Sequence, residues 1–115
     1  MIVDFHNHYY PPEYLEAVKR GPARVKLDYD SDSNPRLHYP GDYNILVPGH
    51  RDLDFREGVL EQHGVDIQVI TFTTPGVHFE TPETSVLMAR AVNDAFSREV
   101  KRRQHLARHD RALEA

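Results

Sequence analysis

Two histidines one residue apart, His6 and His8, close a short apolar run at the start of the chain, Ile2-Val3-Asp4-Phe5. Alternate residues of a β-strand project from one face, so a strand here puts Ile2, Asp4, His6 and His8 together, with Val3 and Phe5 opposite. Two imidazoles so placed, roughly 6 to 7 Å apart at their Cα atoms, converge on a single metal ion. Neutral imidazole is a common ligand of zinc and of other first-row metals. Catalytic zinc sites use three protein ligands and keep one position open, where the metal polarises a carbonyl or carboxyl group. The pair therefore reads as half of such a site. The bare spacing is a weak signal, because eight histidines in 115 residues produce an H-x-H pair by chance about half the time. Context strengthens it: the pair ends an apolar run, Asp4 on the same face is a candidate acceptor that would orient an imidazole, and Tyr9-Tyr10-Pro11-Pro12 follows. The competing reading is an unliganded pair at a strand end, with Asp4 an ordinary polar position.

The elements that must hold this pair follow in order. Pro11 and Pro12 start a helix over Glu13–Arg20 with Tyr14, Leu15 and Val18 on its apolar side, and Gly21-Pro22 stops it. Residues 23–48 change character: Val25 to Tyr29 and Arg36 to Tyr39 alternate apolar and polar residues, Asp30 to Pro35 is dense in turn formers, and Tyr43 to Val47 is β-prone. This is a small antiparallel hairpin or meander. Asp52 or Asp54 caps a helix reaching about His63, which Gly64 ends. Val65 to Phe72 is nearly continuous in apolar, β-branched residues, as in a parallel strand covered on both faces. Thr81 or Thr84 caps a last helix carrying Met88, Ala91, Val92, Ala95 and Phe96 on one stripe that fades at Glu99. Residues 101–115 form a charged, helix-permissive tail in which Lys101-Arg102-Arg103 reads as a solvated helix end. Alternating β and α elements predict parallel strands with right-handed crossovers.

Composition narrows the function. The net charge of −4 gives no reason to expect nucleic acid as a partner. No stretch approaches the ~18 apolar residues of a membrane span, and Asp4 and His6 interrupt the only apolar run that could open a secretory signal. Cytoplasm is the expected compartment. Cysteine is absent, which removes disulfides and thiolate ligands.

Three segments carry a resemblance. Asp4 to Leu15 (D-F-H-N-H-Y-Y-P-P-E-Y-L), the stretch Arg56 to Ile70 (R-E-G-V-L-E-Q-H-G-V-D-I-Q-V-I) followed by Thr71 to Gly76, and Ala89 to Ala95 with its Asn93-Asp94 are similar to the amidohydrolase-related metal-dependent hydrolases. The similarity is to the branch of aminocarboxymuconate-semialdehyde decarboxylase, and covers about residues 1–100. It implies an α/β fold: the N-terminal part of a TIM (β/α)8 barrel, two barrel strands with their helices, carrying the 23–48 β insertion at the active-site end. A complete barrel takes typically ~250 residues, so the barrel is expected to be incomplete, with a third strand missing and the tail diverging after residue 100.

The resemblance further implies a divalent metal, zinc first with manganese or iron as alternatives, bound by His6 and His8. In that family a further histidine and an aspartate from later strands complete the cage, and another histidine serves as acid or base. None of these falls within this chain, so catalytic and substrate-binding residues stay unassigned. The implied activity is hydrolysis or non-oxidative decarboxylation (hydrolase or lyase) of a small carboxylated or amide-bearing molecule. The alternative is a non-catalytic remnant that binds metal weakly or associates with another chain, including its own copies, through exposed barrel edges. A polymerase-and-histidinol-phosphatase-type phosphoesterase also opens with H-x-H but fits the flanking residues less well. Among the other histidines, His78 would follow strand two on the same barrel face, with a solvated loop position favoured over a ligand. His50 and Arg51 would meet an anionic group or form a surface pair, the latter favoured. His63 suits a helix C-terminus, and His38, His105 and His109 read as surface. Tyr9 and Tyr10 either line the pocket or pack.

Overall fold

A computed structural model describes residues 1–103; His105, His109 and the rest of the expected tail lie outside them. Along the chain run β1 (Val3–Asp4), α1 (Pro12–Arg20), β2 (Lys26–Tyr29), β3 (Pro35–Tyr39), β4 (Asp42–Ile45), α2 (Pro48–Arg51), α3 (Leu53–Gln62), β5 (Ile67–Gln68) and α4 (Pro82–Arg102). Strands β1 and β5 pair in parallel, Val3 opposite Ile67 and Asp4 opposite Gln68. Strands β2, β3 and β4 form a separate antiparallel sheet in that order. The fold is thus α/β with a small antiparallel sheet, and no helix among the described residues is long and apolar enough to cross a membrane.

The parallel ladder is shorter than the apolar pattern predicts. Asp66 and Ile67 N–H reach the Ile2 carbonyl (3.0 and 3.2 Å) and Val69 N–H reaches that of Asp4 (2.9 Å). The Asp4 carboxylate then accepts the His6 N–H at 3.0 Å. Such a turn onto a residue's own downstream backbone competes with strand pairing, and the chain leaves the ladder there. It returns when Tyr9 N–H meets the Thr71 carbonyl at 2.8 Å, and the Thr71 hydroxyl bonds the Asn7 carbonyl between. His6 and His8 therefore stand on a short arch beyond β1 rather than within it. The second strand is likewise Ile67–Gln68, not residues 65–72, because the arch offers Val69 to Phe72 no continuous partner.

The insertion occupies its expected segment. Asp30 closes the β2–β3 turn, its carboxylate accepting the Asp32 and Asn34 N–H groups at 2.9 and 2.8 Å. Gly41, at φ +87°, supplies the left-handed residue of the β3–β4 turn. Leu37, Leu46 and Val25 are buried with Tyr10, Tyr14 and Val18 against Met88 and Val92 of α4. A buried carboxylate, Glu80, accepts the Arg24 and Val25 N–H groups (2.8 and 3.1 Å) and fastens the start of the insertion to the α4 side.

Asp52 is the cap of α3, accepting the Asp54 and Phe55 N–H groups, and Thr81 caps α4. The short helix α2, unforeseen in the sequence, begins at Pro48, whose fixed φ suits a first turn. The buried stripe of α4 does not fade at Glu99: Glu99 and Val100 are both buried. Arg103 is not a solvated end, since it pairs with Glu99 (2.9 Å), Asp54 (2.8 Å) and Glu57 (3.0 Å) and ties α4 to α3.

Candidate active site

The arch holding the two histidines lies past the C-terminal end of the parallel β1–β5 ladder. Ligand sites of parallel α/β sheets and barrels lie at that end, where loops rather than the ladder present the side chains. The His6 and His8 rings sit on the same side of the arch, their centroids 5.4 Å apart and tilted by 51°. That separation suits two imidazoles turned toward one ion. His6 is exposed and His8 half-buried. Among the described residues no group of three or more His, Cys, Asp or Glu side chains is placed to hold a metal ion. The pair fits two donors of a cage and not a whole one.

Asp4 does not orient an imidazole. One of its oxygens accepts the His6 backbone N–H; the other accepts the Gln68 amide at 2.7 Å. Gln68, itself buried, takes a bond at 3.3 Å from a residue the sequence did not single out for chemistry, Arg56 of α3. Arg56 is 7% exposed. Its Nε and Nη2 donate to the Gly49 carbonyl at 2.8 and 2.6 Å, Nη1 to Asn7 Oδ1 at 2.9 Å, and Nη2 also to the His8 carbonyl. The guanidinium carbon lies 5.7 Å from the centre of the Tyr9 ring. Burial pushes the basicity of this guanidinium below its usual value, against the opposing pull of Tyr9 and Asp4.

The cavity beside His8, about 510 Å³, lies between the arch, the β3–β4 hairpin and the loop after β5; His8, His50, Asp42, Tyr43, Asn44 and Thr73 are among its walls. A second, of about 440 Å³, opens on the α3 side, where Asp4, His6, His8, His50, Phe55 and Arg56 meet. His50 borders both and Arg51 neither, so the two do not form a surface pair. The His50 imidazole is held below the usual histidine range, first by burial and then by the Arg56 charge. Arg51 turns away, bonding the Leu46 carbonyl at 3.1 Å and Asn34 at 3.3 Å. It is therefore not the receptor of an anionic group in either cavity.

The two tyrosines divide. Tyr10 does both things foreseen for it: its ring packs in the core while its hydroxyl, at the cavity wall, donates to the Thr74 carbonyl at 2.6 Å and accepts from Asn44 at 3.3 Å. Tyr9 is core, packed with Ile70 and Val100, and its phenol is pushed up to about 12, chiefly by burial and then by the Glu99 and Glu13 charges. His78 is exposed and borders neither cavity. His63 is exposed at the C-terminal end of α3. His38 joins Asp28 on the outer face of the hairpin at 2.8 Å.

No family model and no curated protein matches this chain. Solved structures do. The crystal structure of the IDCase (isoorotate decarboxylase) of Metarhizium anisopliae in its apo form aligns with a TM-score of 0.69 at 23% identity, over 89% of this chain. This chain spans 32% of that one. The likeness is one of fold: residues here adopt the arrangement of about a third of a TIM-barrel enzyme.

Proposed function

We propose that this chain carries the first part of the active site of an amidohydrolase-type, metal-dependent decarboxylase or hydrolase. His6 and His8 are two of the metal ligands, and the cavity beside His8 receives a small carboxylated or amide-bearing substrate. The observation that carries the reading is the approach of the two imidazoles at the C-terminal end of a parallel β–β unit. The motif resemblance and the fold shared with a decarboxylase support it. Zinc is the first candidate, with manganese or iron behind it. Such an ion would act as a Lewis acid toward a carboxyl or carbonyl oxygen of the substrate. What this chain's own residues contribute is placement: the hairpin supplies Asp42, Tyr43 and Asn44 to the cavity wall, and among the described residues neither cavity beside the histidines borders a lysine or any arginine except Arg56. Arg56 already gives its N–H groups to protein acceptors, so a substrate carboxylate would depend on the histidines and their metal for its countercharge.

A second reading is favoured by a different observation. Both outer edges of the two-stranded ladder are unpaired among the described residues. An apolar groove of about 460 Å³ lies between β5's extension and α4, walled by Ile70, Phe72, Val92, Phe96 and Val100. In that reading the chain is a non-catalytic remnant that binds metal weakly and associates with other chains, its own copies included, through those surfaces.

Metal content and turnover measured on the 115-residue chain and on its His6→Ala/His8→Ala form separate the two. The enzyme reading expects stoichiometric zinc or manganese that the double substitution abolishes, with decarboxylation or hydrolysis lost alongside. Weak metal uptake without turnover gives the remnant. Uptake that is unchanged by the double substitution refutes the assignment of the two ligands.

A further inference from the structure

We infer that Arg56 is the positioning residue of this site: its guanidinium sets the spacing between the arch that carries His8 and the α2 segment that carries His50. The inference rests on the metal reading above for one of its two readouts only.

A guanidinium has five N–H donors in a rigid planar fork and no acceptor. In Arg56 the hydrogen bonds number five as well: two to the Gly49 carbonyl, one to the His8 carbonyl, one to Asn7 and one to Gln68. The acceptors come from separate stretches of chain: the arch (Asn7, His8), α2 (Gly49) and β5 (Gln68). Three of them belong to or adjoin a candidate site histidine: Asn7 between His6 and His8, His8 itself, and Gly49 beside His50. The last two accept through main-chain carbonyls, so there the fork fixes backbone rather than a rotatable side chain. The same two stretches are zipped once more where Tyr10 N–H donates to the His50 carbonyl at 2.8 Å.

The choice of residue is informative. Among the described residues no carboxylate bonds Arg56 directly, and Asp4 is linked to it through Gln68. A buried cation without an ionic partner is costly unless its hydrogen bonds are complete. An apolar side chain would fill the space between α3 and the arch without that cost, but would leave the carbonyls of His8 and Gly49 to find other donors. Lysine would restore the charge but not the planar fork. The geometry is that of a residue retained for where it holds two carbonyls.

The experiment uses the whole chain carrying Arg56→Lys, with Arg56→Gln as a second variant. It reads cobalt(II) binding by visible absorption, amide exchange at Tyr10 with amides inside α4 as the internal reference, and urea unfolding. The expected result is cooperative unfolding, cobalt(II) affinity lowered about 10- to 100-fold, the range for losing a residue that supports metal ligands, and Tyr10 exchange accelerated relative to α4. Unchanged affinity with Tyr10 still protected overturns the inference. So does weaker affinity with Tyr10 unchanged, because Arg56 would then act by charge and not by position; so does faster exchange with unchanged affinity. If the unsubstituted chain binds cobalt(II) no better than its His6→Ala/His8→Ala form, the metal reading fails separately, and Tyr10 exchange alone decides the role of Arg56. Should neither variant fold, the unsubstituted chain decides through the Arg56 Nε–H itself, which donates to the Gly49 carbonyl: exchange as fast as that of a solvated arginine refutes the clamp, and protection like that of α4 amides upholds it.

Discussion

Arg56, Gln68 and Asp4 form a hydrogen-bonded chain that can run in only one direction. Arginine only donates, a carboxylate only accepts, and the Gln68 amide between them takes one bond at its oxygen and gives one from its nitrogen. Asp4→Asn puts an NH2 group against either the Gln68 amide or the His6 N–H, and one donor on this partly buried path loses its acceptor. Urea unfolding should show a loss of about 1–2 kcal/mol, with the arch loosened. Tyr9 offers a test with a sign. Its phenol ionises near 12 instead of 10, so between those values the folded chain holds a proton that the unfolded chain has released. Its contribution to stability is therefore whole below pH 10 and falls as pH rises toward 12. Tyr9→Phe should flatten that part of the alkaline decline, seen by comparing urea midpoints of the two proteins at matched pH. At this scale the sequence is readable where chemistry is local. The approach of the His6 and His8 rings shows because their spacing and the apolar run before them are neighbours in the chain. Arg56 does not show, because an arginine on a polar helix looks the same whether it meets water or the carbonyls of His8 and Gly49.

At the scale of elements, the meander between α1 and α2 is legible from alternation and turn residues. Leu37 and Leu46, both fully buried, mark its inner face, and Asp30 and Gly41 mark its turns. The ends of the two parallel strands are not legible, since what stops β1 is a side chain, Asp4, capturing the His6 N–H in place of a neighbouring strand. Ile70 after β5 is buried against Tyr9, Leu53 and Val100 instead of within a ladder, which leaves the same hydrophobic pattern as pairing would. Helix α2 is too short for any periodicity to announce it. Glu80 joins two elements by an anion: replacing it with alanine leaves the buried Val25 N–H and the Arg24 N–H without their acceptor. Glu80→Ala should cost about 1–3 kcal/mol of unfolding free energy, and exchange should quicken at Arg24 and Val25 before it does at α4.

For the molecule as a whole, the chain spans 32% of its fold neighbour. Its described surface carries exposed apolar residues. Ile2 and Phe5 are exposed at 53% and 69% along the β1 edge, and the groove of Phe72 and Phe96 opens on the far side. Sedimentation at rising concentration should show reversible association of this chain, and Phe5→Lys should weaken it without altering the cooperativity of unfolding. A monomer at all concentrations would argue that these surfaces are tolerated bare. The α/β class and the order of its elements follow from the sequence because periodicity and breakers are local signals. Which faces end up uncovered does not, because that depends on what packs across β1 and β5.

The bonds between Asn44, Tyr10 and Thr74 bear on how anything reaches the histidines. Asn44 donates both to the Tyr10 hydroxyl and to the Thr74 carbonyl, the latter at 2.8 Å, so the β3–β4 hairpin is riveted to the floor beneath it. A flap that had to lift for each visitor would break these contacts every time. Under the proposed function the hairpin is then a wall held by those two bonds, and a molecule reaching the histidines passes beside it rather than lifting it.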